Sequence, residues 1–228
     1  MNTTDIRNIL VEKYQNGEFR ILKGDIKTVE IQNAHFTCDK GWILRKPNYE
    51  YARREVEWYR SCSLNVNDIP GETPKIWKEC ATKKGWINSN YGWMIWAHEN
   101  YDQYDKCLES LLKDTSTRQA VMIYNRPSMQ YDATYDGMHD FCCTYAVQCF
   151  LNPINDEDSD YSLKYIVYMR SNDAVFGFNN DYYWHRTVQQ ELVQDLFAEG
   201  NLRVSTSPIE WNAGSLHVYE RHFNLLEN

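Results

Sequence analysis

Apolar residues recur at helical spacing from the start of the chain. Ile6, Ile9, Leu10 and Tyr14 predict a helix over residues 4–16, with Thr3 or Thr4 as its N-cap and Gly17 as its stop. The pattern then turns strand-like, and Val29, Ile31, Ala34 and Phe36 mark a strand region. Further helices are predicted around residues 48–62 and over 99–113, the latter ending in the polar turn Asp114-Thr115-Ser116-Thr117. The stretches 119–124, 141–151 and 163–170 are rich in β-formers and bounded by turn signals. After Asp181 the period becomes four. Trp184, Val188, Leu192 and Leu196 line one face of a helix that ends at Gly200. Strands alternating with helices, beside adjacent strand-rich stretches, predict an α+β fold with a mixed β-sheet covered by helices.

Composition narrows the class. A chain of 228 residues can bury one substantial core, and no linker, repeat or low-complexity run interrupts it. Residues 1–228 are therefore expected to form a single domain. Hydrophobic content of 43% with 25% charge is that of a soluble globular protein, and no apolar run approaches the roughly eighteen residues of a membrane span. The net charge of -8 argues against a broad nucleic-acid surface, so an anionic ligand would need a local cluster of Arg and Lys. The 8 Trp and 17 Tyr suit a large core or a site that stacks flat rings. Seven cysteines, without a C-x-x-C pair and without a signal peptide ahead of them, predict a reduced, cytoplasmic protein. The six histidines lack metal-ligand spacing, so no metal is expected.

Three motifs carry chemistry. Cys143 stands in Asp140-Phe141-Cys142-Cys143-Thr144-Tyr145-Ala146-Val147-Gln148. Arg170-Ser171-Asn172-Asp173 follows, leading into Phe176-Gly177-Phe178-Asn179-Asn180-Asp181, and Ser215-Leu216-His217-Val218-Tyr219 comes near the end. A cysteine with a glutamine five residues on, then R-S-x-D-x-x-x-G, then H-x-Y, resembles the thymidylate synthase superfamily. Glu57-Trp58-Tyr59, Ile69 to Trp77, Asn88 to Trp93, Arg126 to Gln130 and Met169 to Asp173 resemble its deoxycytidylate hydroxymethylase branch, found in T-even-type bacteriophages. The likeness runs from about Lys27 to about His222. It implies a three-layer fold whose sheets pack face to face in a homodimer. The activity it implies is transfer of a hydroxymethyl group to dCMP from 5,10-methylenetetrahydrofolate, a cosubstrate, with no metal. A phage would use the product in modified DNA, and other phage nucleotide-synthesis enzymes are implied as further partners.

Position 5 of a pyrimidine attacks carbon electrophiles only after a thiolate adds to position 6, which divides one hard step into two easier ones. Cys143 is the candidate thiolate; an isolated cysteine in such a stretch would read as buried filler, as Cys142 and Cys149 still do. The resemblance makes Arg170 the cation beside the thiolate and, with Ser171, a phosphate ligand. It gives Lys27 to an early phosphate loop and Arg118 to a reach across the dimer. The family's second arginine is here Gln119, which weakens phosphate binding or passes the task to Arg126. Glu57 matches the family's catalytic glutamate. Gln148 would face the nucleotide, His217 and Tyr219 the 3′-hydroxyl, Asp173 the pterin, and Tyr91 and Trp93 the ring-stacking surfaces.

Asp181 decides the base. Thymidylate synthases place asparagine there, matching uracil, whereas a carboxyl group presents the complement of N3 and the 4-amino group of cytosine. The competing reading of Asp181 is an N-cap for the helix that follows. Thr144 after the nucleophile, where thymidylate synthases have histidine, agrees with the hydroxymethylase branch. The chain ends nine residues after Tyr219, which the resemblance reads as a more open site suited to hydration. The rival enzymes are a dUMP hydroxymethylase and a thymidylate synthase. A rival of another class is a catalytically silent nucleotide-binding relative.

Overall fold

A computed structural model describes residues 1–154 and 160–227. The first element is helix α1 (Thr3–Gln15), followed by strands β1 (Arg20–Ile21) and β2 (Lys27–Thr37). Four helices come next, α2 (Tyr49–Arg60), α3 (Lys75–Cys80), α4 (Tyr91–Trp96) and α5 (Gln103–Lys113). Strand β3 (Val121–Ile123), helix α6 (Met129–Asp132) and strands β4 (Thr144–Pro153), β5 (Asp160–Met169) and β6 (Asn172–Asp173) lead to helix α7 (Gly177–Gly200). Strands β7 (Arg203–Thr206) and β8 (Glu210–Tyr219) complete the regular structure. The chain divides into two compact units, Met1–Pro47 with Asn152–Asn228, and Asn48–Leu151.

In the first unit, β2 is antiparallel to both β1 and β8, while β5 and β6 run parallel to β8 and β7 runs parallel to β5. The mixed sheet is the one predicted. Helix α1 packs on β2, and α7 packs on β5, β6 and β7. The four-residue period of α7 puts Trp184, Val188, Leu192 and Leu196 out of solvent, each side chain stabilising the fold by roughly 1.5–3 kcal/mol.

Strands β2 and β8 change face together. Val29 and then Ala34 and Phe36 are buried on β2; on β8 it is Trp211 and Ala213, then Leu216 and Val218. Strict alternation would keep one parity throughout. The slip falls at Asn33, whose φ is +54°, and at Gly214 beside it, while the register holds from Gln32–Ser215 to Ala34–Ala213. It matters for the site, because Ser215, His217 and Tyr219 share the parity of Trp211. Without the slip they would point into the core; with it they point away from Leu216 and Val218.

In the second unit, α4 packs against α2, α5 and β3. A Cβ at Gly92 would lie 1.9 Å from the Tyr59 carbonyl oxygen, so only glycine lets α4 come this close to α2. Tyr91 stacks on Tyr59 with centroids 5.2 Å apart and meets Tyr124 edge-on at 5.3 Å.

The boundaries differ from expectation at three helices. Asn2, in place of Thr3 or Thr4, caps α1, its side chain accepting from the Thr4 and Asp5 amides while its backbone N–H donates to the Asp5 carboxylate; the Thr3 hydroxyl is engaged with Asp39 instead. The helix predicted over 99–113 begins only at Gln103, because Tyr101 and Asp102 are left-handed (φ 67° and 49°) and cannot continue a right-handed helix. Helix α7 starts at Gly177, so Asp181 is its fifth residue and the N-cap reading is excluded.

Candidate active site

Cys143 lies in the turn just before β4 and is half-buried. The turn is held from one side by the segment ahead of α4. The Asp140 carboxylate accepts from the Asn88 and Ser89 amides, both at 2.7 Å, and from the Ser89 hydroxyl at 2.6 Å. Asn88 also donates to the Asp140 carbonyl at 3.1 Å. On the other side of Cys143, the Thr144 hydroxyl donates to the Tyr91 hydroxyl at 3.1 Å. The thiol therefore sits in a fixed backbone while remaining reachable. Cys142, by contrast, is fully buried and its Sγ donates to the Thr144 carbonyl at 3.2 Å. The Cys149 thiol is pushed up by its contact with Cys107 and by burial, which leaves it inert.

These contacts revise Tyr91. It is 4% exposed, stacked and hydrogen-bonded, so it positions the cysteine turn and offers no ring face to a ligand. Trp93 is half-buried and carries the Arg126 guanidinium over its ring at 4.6 Å. Arg126 donates to the Ser128 hydroxyl at 3.1 Å and to Asn88 Oδ1 at 3.4 Å, while its buried Nη1 has no hydrogen-bond partner among the described residues. Burial lowers the Arg126 pKa, yet the guanidinium stays charged.

The glutamate expected at 57 is corrected. Glu57 is exposed on the outer face of α2. Glu55, two residues earlier, is 5% exposed and shares the buried face with Ala52, Val56 and Tyr59. Its Oε1 accepts from the Tyr51 hydroxyl at 2.5 Å and from Trp77 Nε1 at 2.9 Å. Those donors favour the carboxylate, but burial outweighs them and raises the pKa above its ordinary 4.5. A buried carboxyl poised upward in this way suits proton transfer. The signal was legible: Glu55 is the polar residue at an i, i+3, i+4 apolar face.

In the first unit the remaining residues collect where β5, β6 and β8 meet. Arg170 and Ser171 follow β5 directly, and the Ser215 amide donates to the Arg170 carbonyl at 3.1 Å. Asp173 is paired with His217 across β6 and β8, and its carboxylate caps the turn into α7 through the Val175 and Phe176 amides at 3.0 and 3.4 Å. His217 alternates with Tyr219 as expected, the rings meeting edge-on at 4.8 Å. Its Nδ1 lies 3.2 Å from the Ser215 hydroxyl. Burial lowers the His217 pKa below 6.5, with Arg170 adding to the effect and Asp173 and Glu30 opposing it, so the ring is mainly neutral at pH 7. Asp181 accepts from Asn172 Nδ2 at 2.7 Å. Neither Asn172 nor Asp140 was singled out from the sequence.

Two further cations belong to the expected phosphate set. Lys27 is exposed at the start of β2 with its ammonium 5.7 Å from the Phe19 ring centroid. Arg118 is exposed, and its carbonyl accepts from Gln148 Nε2 at 3.0 Å, so that Gln148, expected at the nucleotide, ties β4 to the Arg118 segment. Among the described residues, no His, Cys, Asp or Glu cluster of metal-binding size occurs, and no helix is long and apolar enough to cross a membrane.

The deoxycytidylate 5-hydroxymethyltransferases of Enterobacteria phages T4 and T2 are each 48% identical over 229 residues, spanning 100% of this chain and 90% of theirs. Thermostable thymidylate synthase A from Bacillus subtilis superposes with a TM-score of 0.68 at 18% identity, over 100% of this chain and 83% of that one. The thymidylate synthase family model matches residues 5–228, and the chain belongs to the thymidylate synthase family.

Proposed function

We propose that this protein is a deoxycytidylate 5-hydroxymethyltransferase, converting dCMP, 5,10-methylenetetrahydrofolate and water to 5-hydroxymethyl-dCMP and tetrahydrofolate. The observation that carries the reading is 48% identity along the whole chain to phage enzymes of that name. Asp181, standing where thymidylate synthases have asparagine, supports cytosine over uracil. Residues 1–228 are proposed to work as one catalytic domain and to function as a homodimer.

The Cys143 thiolate bonds to carbon 6 of the ring and pushes an electron pair to carbon 5, which takes up the one-carbon unit. Methylenetetrahydrofolate supplies that unit at the oxidation level of formaldehyde. Trp93, with its flat ring, and Asp173, with a carboxylate that accepts hydrogen bonds, would each contact the pterin. Glu55, in place of Glu57, moves protons between the ring and water. Once the carbon 5 proton and tetrahydrofolate have been lost, water adds to the exocyclic methylene that remains, and Cys143 departs with its bonding pair as the ring regains its double bond. Arg170, Ser171, Lys27 and Arg118 would bind phosphate, with Arg126 in the place left by Gln119. Neutral His217 and Tyr219 would hold the 3′-hydroxyl, and Gln148 would steady the Arg118 segment.

The test is incubation with dCMP, dUMP or CMP separately, each with methylenetetrahydrofolate, and products read by mass. A gain of one CH2O unit on dCMP alone is expected. A methylated product with dihydrofolate, or turnover of dUMP in preference, would replace the reading with one of its rivals.

A further inference from the structure

An aspartate at position 181 is not by itself a cytosine reader. A neutral carboxyl group has two oxygens, and its proton can sit on either. With the proton on the oxygen facing N3, the group complements cytosine. With the proton on the oxygen facing the 4-substituent, it complements uracil, donating to O4 and accepting from the N3 proton. Something must choose between the two.

Asn172 is placed to do so. Its Nδ2 donates to Asp181 Oδ2 at 2.7 Å, and the residue is 3% exposed. The other end of the same amide, Oδ1, is buried without a hydrogen-bond partner among the described residues. An unpaired buried acceptor costs about 1–3 kcal/mol, so stability alone does not account for an amide here; an apolar side chain of similar size would fill the space.

We infer that Asn172 is a positioning residue that sets substrate specificity by making Oδ2 of Asp181 the accepting oxygen. The inference rests on the proposed role of Asp181 and deepens it. The amide proton occupies Oδ2, which disfavours protonation there and directs the proton shared with N3 to Oδ1. With Oδ2 facing the 4-amino group, the carboxyl group matches cytosine in either form, as the neutral acid or as a carboxylate paired with N3-protonated cytosine. The uracil pattern requires a proton on Oδ2 and is excluded by the same contact.

The test is a double-mutant cycle read as the ratio of Kd values for dCMP and dUMP by calorimetry, with kcat on dCMP alongside. Asn172→Leu keeps the volume and should leave the melting temperature near that of the wild type. It should weaken dCMP binding about tenfold or more relative to dUMP, since a charge-assisted hydrogen bond orders the carboxyl group. In an Asp181→Asn background, whose amide already has a fixed donor and acceptor, the same substitution should move the ratio little. If Asn172→Leu keeps the wild-type ratio while Asp181→Asn changes it, the inference about Asn172 fails and the reading of Asp181 survives. If Asp181→Asn leaves the ratio unchanged, both fall. Should the leucine variant not fold, Asn172→Ala carries the same comparison.

Discussion

Asn33 on β2 and Gly214 on β8 stand at one level, between the Gln32–Ser215 and Ala34–Ala213 pairs, where both strands exchange their buried sides. The exchange is what turns His217 and Tyr219 away from the core. Asn33 holds φ at +54°, which asparagine tolerates and a β-branched residue does not. Asn33→Val should cost about 1–2 kcal/mol and Asn33→Gly only a few tenths, measured by denaturant unfolding. At Gly214 a Cβ would lie 3.0 Å from the Arg170 carbonyl oxygen. Gly214→Ala should therefore disturb Arg170 and raise KM for dCMP several-fold. An unchanged KM would separate the slip from the phosphate end of the site.

Cys143 and Cys142 are adjacent and opposite in character, the first half-buried, the second closed off and bonded to the Thr144 carbonyl. Cys143→Ser should abolish turnover with dCMP binding largely intact, since thiolate addition opens every later step. Cys142→Ser should keep most activity. The reverse outcome in steady-state assays would mean that the nucleophile is one residue earlier.

Glu55 and Glu57 separate by the same logic. Burial raises the Glu55 pKa, so its folded-state value lies above the unfolded 4.5. The protonated form then favours folding: the contribution is complete below pH 4.5 and is lost as pH rises through the folded value. Glu55→Gln removes that loss and should melt higher than wild type by a margin that widens as pH rises through this window. Its kcat should fall by about 10²–10⁴-fold if the carboxyl group moves protons. Exposed Glu57→Gln should alter neither quantity. A Glu55→Gln enzyme with wild-type kcat would remove the residue from the mechanism.

Much of this was legible along the chain. The gap from Ile31 to Ala34 breaks a two-residue alternation where the slip falls. The four-residue period from Trp184 to Leu196 marks α7, and motif spacing singles out Cys143, Arg170, Asp181 and His217 as candidates. What was missed depends on contacts distant in sequence. Local pattern cannot say that Asp140 is caged by Asn88 and Ser89, about fifty residues away, nor that Tyr91 spends its hydroxyl on Thr144. Glu57 was preferred to Glu55 on motif matching alone, although helix periodicity already put Glu55 on the apolar side. The early start of α7 escaped because Gly177 and the asparagines after it are weak helix formers, and the long-range bond from Asn179 to the Arg45 carbonyl overrides that preference.

Arg126 presents a buried Nη1 without a partner among the described residues, over the face of Trp93. If it replaces the arginine missing at Gln119, Arg126→Ala should raise KM for dCMP about tenfold or more and leave KM for the folate nearly unchanged. Adding Gln119→Arg to that variant should recover part of the loss. A rise confined to the folate KM would assign Arg126 to the cosubstrate instead.

Arg118 tests the proposed dimer. Its side chain is exposed while its carbonyl is anchored by Gln148, so the backbone is fixed and the guanidinium projects outward. In a shared site, an Arg118→Ala homodimer lacks the cation at both sites, and a Cys143→Ser homodimer lacks the nucleophile at both. Mixing the two and allowing subunits to exchange yields heterodimers in which one site pairs an intact Cys143 with an intact Arg118 from the other chain. The second site in each heterodimer carries both defects. With random exchange about half of the dimers are mixed, each with one working site out of two, so activity should recover to roughly one quarter of wild type if sites act independently. Recovery should follow exchange in time and vanish when the two variants are crosslinked before mixing. A mixture that exchanges fully, as shown by mass, and stays inactive would confine Arg118 to its own chain.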